Sequence, residues 1–260
     1  MTDQAKTQTD LMDPARANAL QATLGSAQDI TSGDPLPPFA HQIYFWDAQP
    51  PSALGRDGHP AKGDFLPDLG LPRRMWAAGK LVFHAPLLAG SRATKTSSIE
   101  SVMRKSGRSG PLAFVRVRHD IRQRSALVLT EWQEIVYRED NAPAAEPPIA
   151  ATDEAHAEDV TFSPTTLFRY SALTFNGHRI HYDAPYARDV EGYDGLVVHG
   201  PLLAHLLMQL AQKQLGKLTH FSYRATSALM VHEKATLCWK NGTAWVRGPD
   251  GRQCMAATAS

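Results

Sequence analysis

The chain has 260 residues, of which 43% are hydrophobic and 20% are charged, and its formal net charge at pH 7 is +1. This balance is typical of a globular protein with one large core or two medium ones. A net charge so close to zero argues against a dedicated nucleic-acid-binding protein, which usually carries a strong basic excess. The composition therefore predicts no nucleic-acid partner and is consistent with a soluble metabolic enzyme.

No targeting or membrane segment is predicted. Residues 1–8 are polar and no apolar core follows them, as a secretory signal would require. The most apolar stretch, residues 196–211, is too short to span a membrane and is interrupted by histidine, glycine and proline. We therefore expect no membrane association and a cytoplasmic location.

Residues 1–34 are predicted to form an N-terminal extension that contains one short helix. Asp13 is a favourable helix cap, and Pro14 suits the first helical position. An aromatic, strand-like run follows at residues 41–46. Residues 46–74 are rich in Gly, Pro and Asp, which predicts a long loop over the core, and such loops are often functional.

Residues 35–139 are predicted to form a first folded unit that is rich in strands. Apolar and polar residues alternate towards the end of residues 112–119, as in a half-buried strand. A weaker helix signal lies at residues 99–105, and a turn is expected at residues 107–110. Residues 140–160 then change to Pro, Ala and acidic side chains, which predicts a solvated linker.

Residues 161–260 are predicted to form a second unit, in which a long apolar helix precedes several strands. The dipeptides Asn241-Gly242 and Asp250-Gly251 are strong signals for β-hairpins. A helix followed by an antiparallel meander is the element order of a hot-dog fold, in which a curved sheet wraps a central helix. We therefore predict an α+β protein, a double hot dog with two antiparallel sheets that each wrap a central helix.

The most informative stretch begins with a predicted short strand at residues 170–175. A turn at Asn176 follows, and Asp183 precedes a helix start. The turn would present Asn176 together with His181. Histidine can take and give a proton near neutral pH, whereas an amide can hold a water or a carbonyl but cannot usefully accept a proton.

A second feature lies at the start of the apolar helix, where Gly200 precedes Pro201. Proline suits the first helical position, so Gly200 is predicted to be the N-cap residue, with free backbone donors around it. Such a helix start attracts negative charge. One such charge is the enolate oxygen that forms when a thioester is attacked at its β-carbon.

These two segments resemble the hydratase motif of the MaoC-like, (R)-specific enoyl-CoA hydratases, Asp-x-Asn-Pro-Leu-His followed by Gly-x-x-Val-His-Gly. The chain is more similar to the hydroxyacyl-thioester dehydratase type 2 branch, and the resemblance covers most of residues 35–260. It implies that Asn176 stands at the catalytic Asp position, His181 at the catalytic His position and the Gly200 amide at the oxyanion donor. Because an amide cannot serve as the carboxylate base, proton transfer is expected to fall on His181.

The resemblance also implies the reaction, which is the reversible addition of water to an α,β-unsaturated acyl-CoA thioester. The substrate expected first is mesaconyl-C4-CoA (3-methylfumaryl-CoA), which would give citramalyl-CoA. Itaconyl-CoA is the next choice, and a longer 3-hydroxyacyl thioester is the third. No cofactor is expected, since coenzyme A enters as the carrier on the substrate, and a homodimer is considered as the assembly.

Three further residues are candidates for substrate binding, namely Arg179, His178 and His199. Arg179 lies inside the motif and is favoured for binding a substrate carboxylate, ahead of the basic residues between 104 and 124. His178 and His181 have a spacing that could hold a metal, but no carboxylate cluster in the sequence completes a site. No metal is therefore predicted.

Two other functions remain open on the same fold. Thioester hydrolysis is disfavoured because residues 201–215 contain no Asp or Glu to direct water at the carbonyl. A non-catalytic acyl-CoA-binding module is the alternative of another class, because Asn176 departs from the general motif. Loss of the enoyl-thioester absorbance, release of free thiol and thermal stabilisation by ligand would distinguish the three functions.

Overall fold

The computed structural model describes residues 5–26, 29–107, 110–140 and 146–260. The strands are β1 (Lys6–Leu11), β2 (Arg73–Phe83), β3 (Arg92–Gly107), β4 (Gly110–Gln123), β5 (Ala126–Arg138), β6 (His156–Val160), β7 (His220–Ala225), β8 (Ala235–Lys240), β9 (Thr243–Arg247) and β10 (Gln253–Ala259). The helices are α1 (Pro14–Thr23), α2 (Pro164–Thr174), α3 (Ala184–Asp189) and α4 (Gly200–Leu215). Short 3-10 turns lie at Ala40–Ile43, Pro51–Ala53 and Arg179–His181.

The strands form one continuous antiparallel sheet in the order β1-β3-β4-β5-β2-β7-β10-β9-β8-β6. From the outer edge to the centre, the strand order is β1-β3-β4-β5-β2 in the first half and β6-β8-β9-β10-β7 in the second. If the five strands of each half are numbered along the chain, both halves therefore have the order 1-3-4-5-2. At the centre β2 pairs with β7, from Ala78 opposite Arg224 to Val82 opposite His220. The repeated pattern confirms the predicted double hot dog. Backbone pairing of β2 with β7 merges the two expected sheets into one.

Both outer strands come from segments that the sequence did not predict as strands. β1 pairs with β3 from Lys6 to Leu11, so these residues belong to the sheet of the first unit and not to an extension at residues 1–34. Likewise β6 pairs with β8, so the predicted linker at residues 140–160 ends in a strand. Without them, β3 and β8 would expose a row of unpaired backbone groups at the sheet edges.

The first unit has no long helix at the predicted position. Residues 99–105 lie in β3, where Ile99 faces Val117 and Lys105 faces Leu112 across the ladder with β4. These ladder hydrogen bonds override a weak local helix preference, because tertiary pairing outweighs a small intrinsic propensity. The turn expected at residues 107–110 includes two residues, 108 and 109, that lie outside the described part of the chain.

Two predicted local structures are confirmed at the atomic level. Asp13 caps α1 by accepting a hydrogen bond from the Ala15 amide at 2.9 Å. Asn241 and Gly242, with φ angles of 48° and 80°, form the tight turn that joins β8 to β9. Both φ angles are positive, as the hairpin turn favoured by an Asn-Gly pair requires.

The predicted strand at residues 170–175 is wrong, because α2 continues through Thr174. Ser163 caps this helix, and Leu167, Tyr170 and Ser171 are buried at the three- and four-residue spacing of one helix face. Phe175 ends the helix in the left-handed region, with φ of 51°. The site motif therefore leaves a helix and not a strand.

The central helix of the second unit is α4, which packs against strands β7 to β10. It begins at Gly200 with His199 as its N-cap residue, one position earlier than predicted. Leu202, Leu207 and Met208 are fully buried on it, and burying each such side chain contributes roughly 1.5–3 kcal/mol. No helix among the described residues is both long and apolar enough to cross a membrane.

Candidate active site

A cavity of about 1150 Å³ lies between the two units. The first unit contributes the loop at residues 46–72 together with parts of β2 and β5, and the second contributes the motif turn, the start of α4 and parts of β7 and β10. Of the residues predicted from the sequence, four line this cavity: Asn176, His178, His181 and Gly200.

His181 is held as a neutral base. Its Nδ1 atom lies 2.7 Å from the carbonyl oxygen of Val197, which can only accept, so Nδ1 carries the proton and Nε2 keeps its lone pair. Burial, assisted by the neighbouring His178, lowers the pKa of His181 to about 3. At neutral pH the ring can therefore accept a proton from a molecule in the cavity.

His199 lies behind His181 and does not line the cavity. The two imidazole rings stack with their centroids 3.6 Å apart, and His199 Nε2 lies 2.8 Å from the Ser171 hydroxyl. Burial lowers the pKa of His199 well below its ordinary value. This position favours support of the His181 ring over direct contact with substrate, and the substrate-binding role of His199 stays a prediction.

Asn176 is fixed by the end of α2. Its backbone amide donates to the Ser171 carbonyl at 2.8 Å, and its Oδ1 atom accepts from the His178 amide at 3.0 Å. Within the described ranges no protein atom accepts a hydrogen bond from its Nδ2 group. The amide nitrogen is therefore available as a donor to a water or a carbonyl in the cavity.

The Gly200 amide stands at the start of α4, where backbone donors have no partner within the helix. A Cβ atom built at Gly200 would meet no atom within 4 Å, so the space beside this residue is open. A thioester carbonyl oxygen could accept a hydrogen bond at this helix start. The helix dipole would also stabilise negative charge that develops on its oxygen.

Arg179 points away from the cavity. Its guanidinium donates to Asp183 at 2.7 and 3.1 Å and lies 4.0 Å above the Tyr186 ring. The described basic residues between 104 and 124 do not line the cavity either. Five other arginines do: Arg56, Arg73, Arg74, Arg138 and Arg224. The structure therefore places neither predicted arginine group where it would meet the substrate.

The sequence did not single out Asp57 and His59, which lie on the loop at residues 46–72. The Asp57 carboxylate accepts from the His59 backbone amide at 3.1 Å and lies 3.2 Å from His59 Nδ1. The His59 ring lies 4.5 Å from the His178 ring, measured between centroids. More than a hundred residues separate the two histidines, so spacing could not join them, and the loop's composition was the available signal.

Asp57, His59 and His178 supply the carboxylate and imidazole groups that a metal site needs. Their ligand atoms all lie within 4.8 Å of one another. Arg74 argues against a metal at this site, because its Nε atom lies 3.6 Å from Asp57 Oδ2 and places a positive charge beside the same carboxylate. Burial would raise the pKa of Asp57, but its hydrogen bond to His59 and the charges of His59 and Arg74 outweigh burial and lower that pKa.

The double hot dog and a basic histidine at the motif position define the class of the protein. The family model for hydroxyacyl-thioester dehydratase type 2 matches residues 39–231, and the chain belongs to this family. The predicted family and the prediction of a hydratase or dehydratase are thereby confirmed.

Among curated relatives, the chain is 44% identical over 253 residues to the mesaconyl-C4-CoA hydratase of Chloroflexus aurantiacus. The matched region covers 94% of this chain and 90% of that protein. A MaoC-like dehydratase from Phytophthora capsici superposes with a TM-score of 0.72 at 13% identity, over all of this chain and 96% of its own. A double hot-dog protein from Mycobacterium tuberculosis superposes with a TM-score of 0.63 at 13% identity, covering 100% of this chain and 95% of that one. These two structures show the fold alone.

Proposed function

We propose that the protein adds water reversibly to the double bond of an α,β-unsaturated acyl-CoA, with mesaconyl-C4-CoA as the substrate and citramalyl-CoA as the product. The observation that carries the proposal is the neutral His181 ring, whose Nε2 lone pair is free because Nδ1 is bound to Val197. The relative from Chloroflexus aurantiacus, which is named for this reaction, supports the choice of substrate.

In the proposed reaction, the thioester carbonyl accepts a hydrogen bond from the Gly200 amide. His181 takes a proton from a water that the Asn176 amide helps to hold, and the oxygen forms the bond to the β-carbon. The electron pair of the double bond moves towards the thioester oxygen, and the α-carbon is then protonated. One acid/base group contributes about 10² to 10⁴ in rate and one oxyanion donor about 3 kcal/mol, so no cofactor is needed in this proposal.

The dicarboxylic substrate requires a cation for its distal carboxylate. Within the described part of the chain, Arg138 and Arg224 line the cavity and form no ion pair. By contrast, Arg73 pairs with Glu191 and Arg74 with Asp57. We propose that Arg138 or Arg224 binds the distal carboxylate, in place of Arg179, while the other is available to the phosphates of coenzyme A.

The test compares catalytic efficiency on mesaconyl-C4-CoA with that on crotonyl-CoA, which lacks the distal charge. An unpaired buried charge commonly costs a few kcal/mol, so the preference for mesaconyl-C4-CoA should exceed about tenfold. It should shrink in Arg138→Met or Arg224→Met and persist in Arg169→Met, an exposed arginine on α2 that does not line the cavity. Equal efficiency on both substrates would contradict the dicarboxylate proposal, whereas itaconyl-CoA and longer enoyl-CoA esters test the other choices.

A homodimer and a cytoplasmic location are also part of the proposal. Light scattering on the purified protein measures the assembly, and a tagged protein expressed in its native host locates it. The choice between coenzyme A and an acyl carrier protein as the carrier is tested by comparing the same acyl group on both.

A further inference from the structure

The loop at residues 46–72 brings a third imidazole, that of His59, into the cavity. Asp57 binds His59 twice, through the His59 backbone amide at 3.1 Å and through Nδ1 at 3.2 Å. Because the carboxylate engages Nδ1, Nε2 of His59 is the ring atom left for exchange with a molecule in the cavity. The His59 side chain retains 29% of its exposed surface, so the ring also remains open to solvent.

This loop is fixed to the motif turn by backbone contacts. The Arg179 amide donates to the Asp57 carbonyl at 2.9 Å. Gly58 packs directly on Gly177, and a Cβ atom at Gly58 would come within 2.1 Å of the Gly177 carbonyl oxygen. Since φ at Gly58 is +85°, a side chain at this position would also be strained. The first unit is thereby held at a defined position beside the residues of the second unit.

Three imidazole rings consequently follow one another along the cavity wall. His59 lies 4.5 Å from His178, and His178 lies 5.4 Å from His181, measured between ring centroids. Asp57 stands at the outer end of this row and His181 at the buried end. The row therefore has a carboxylate, although the motif itself carries Asn176 where a carboxylate is expected.

We propose that His59, oriented by Asp57, is a second acid/base residue of the hydration reaction and replaces the carboxylate that the motif lacks. This inference rests on the proposed hydratase function. His181 takes the proton of water as the carbon–oxygen bond forms at the β-carbon. The protonated His59 then gives its Nε2 proton to the α-carbon, which holds the electron pair of the former double bond. Exchange with solvent returns a proton to His59 and removes the one on His181, and dehydration follows the reverse order.

The proposal assigns proton uptake to His181 and proton donation to His59, because a single buried histidine is poorly suited to both steps. Burial disfavours the protonated form of His181, so a proton that this ring takes from water is not retained on it. The Asp57 carboxylate, 3.2 Å from Nδ1 of His59, orients the outer ring and leaves its Nε2 atom for proton exchange. The same three side chains bound to a metal would give a different chemistry, but the positive charge of Arg74 at 3.6 Å from Asp57 disfavours a cation there.

The test measures hydration of mesaconyl-C4-CoA by the full-length protein and its variants. His59→Ala should lower kcat by about a hundredfold, change KM by less than about threefold, and recover at least about fivefold with added imidazole. Asp57→Asn, which keeps the shape but not the charge, should lower kcat less, and Asp57→Glu should recover part of it. Matched controls are His156→Ala on β6 and Asp68→Asn in the same loop, which do not line the cavity and should keep wild-type activity.

Three results would overturn the proposal. The first is an active wild type together with a folded His59→Ala protein of equal activity. The second is a His59→Ala protein with low activity that imidazole does not restore. The third is one bound metal ion per chain that is lost in this variant. If His59→Ala does not fold, His59→Gln replaces it and must lose the same activity for the proposal to stand. A wild type that hydrates no enoyl-CoA ester would overturn the proposed function as well, so the two failures are distinguishable.

Discussion

Each half of the molecule places one buried histidine on a short 3-10 turn that follows its first helix, yet only one of the two histidines faces the cavity. In the first half, His41 lies 3.1 Å from Glu131, and Gln42 donates to the same carboxylate at 2.8 Å. In the second half, the His181 ring bonds to the Val197 carbonyl and has no carboxylate partner among the described residues. A buried carboxylate partner makes the first histidine structural, and its absence leaves the second available for chemistry.

The charges of the two histidine sites differ accordingly. Burial would raise the pKa of Glu131, but the charge of His41 and its hydrogen bond, with His119 and Lys95 nearby, outweigh burial and lower that pKa. Glu131 is thus held ionised in the interior. His181 has no such partner and stays neutral. We propose that the same position on the repeated fold serves stability in one half and proton transfer in the other.

The halves also differ in what covers the sheet. In the second half α4 packs on strands β7 to β10, whereas the corresponding part of the first half is the loop at residues 46–72, with a single 3-10 turn. This loop lines the cavity and adds Asp57 and His59 to its wall. The first half contributes residues to the cavity wall, and the proposed role of His59 would add chemistry.

We expect the largest effect on turnover when His181 is replaced. His181→Gln, which keeps most of the side-chain volume, should lower turnover by at least about a hundredfold, because proton transfer from water is lost. Steady-state hydration kinetics and circular dichroism measure activity and fold. Near-normal turnover in the folded variant would remove His181 from the mechanism.

Replacing His41 should lower the stability of the protein and leave its turnover nearly unchanged. His41→Ala leaves Glu131 buried without its partner, which should cost about 3 kcal/mol of unfolding free energy, while turnover of the folded protein changes little. Urea denaturation provides the measurement. Replacing both residues by leucine should recover part of the loss. A loss of turnover as large as that of His181→Gln would contradict the contrast between the two halves.

Asn176 should have a smaller effect than His181. Asn176→Ala removes the free Nδ2 donor and the hydrogen bond to the His178 amide, so activity should fall by about tenfold or more. Asn176→Asp should keep a measurable part of it, because the carboxylate can still accept from that amide. Wild-type activity in Asn176→Ala would show that the residue serves only the turn.

The last effect concerns the dependence of stability on pH. Burial lowers the folded-state pKa of both His181 and His205 to about 3, whereas in the unfolded chain they titrate near their ordinary value of 6.5. The unfolded state therefore binds more protons as pH falls below about 6.5, and each histidine removes up to about 1.4 kcal/mol of stability per pH unit. Urea denaturation from pH 7.5 to pH 4.5 should show this decline, and His205→Leu should reduce its slope.

The sequence predicted the chemistry of the second half better than the architecture of the first. Local patterns predicted a helix start at Gly200, and α4 begins within one residue of the predicted position. Local patterns also predicted that His181 follows a turn, and it lies on a short 3-10 turn. The strand pairing of residues 99–105 depends on β4, and the meeting of His59 with His178 depends on the packing of two halves. Neither long-range contact leaves a periodic signal in the chain.

The most direct test of the central claim is to follow heavy-oxygen water into the product. Purified protein is incubated with mesaconyl-C4-CoA in labelled water, and the intact thioester is analysed by mass spectrometry beside an assay for free thiol. The account predicts one labelled oxygen on an intact acyl-CoA, no thiol release, and loss of labelling in His181→Gln but not in a folded His41→Ala. Label in a free acid with released thiol, or equal labelling by His181→Gln and the wild type, would contradict it.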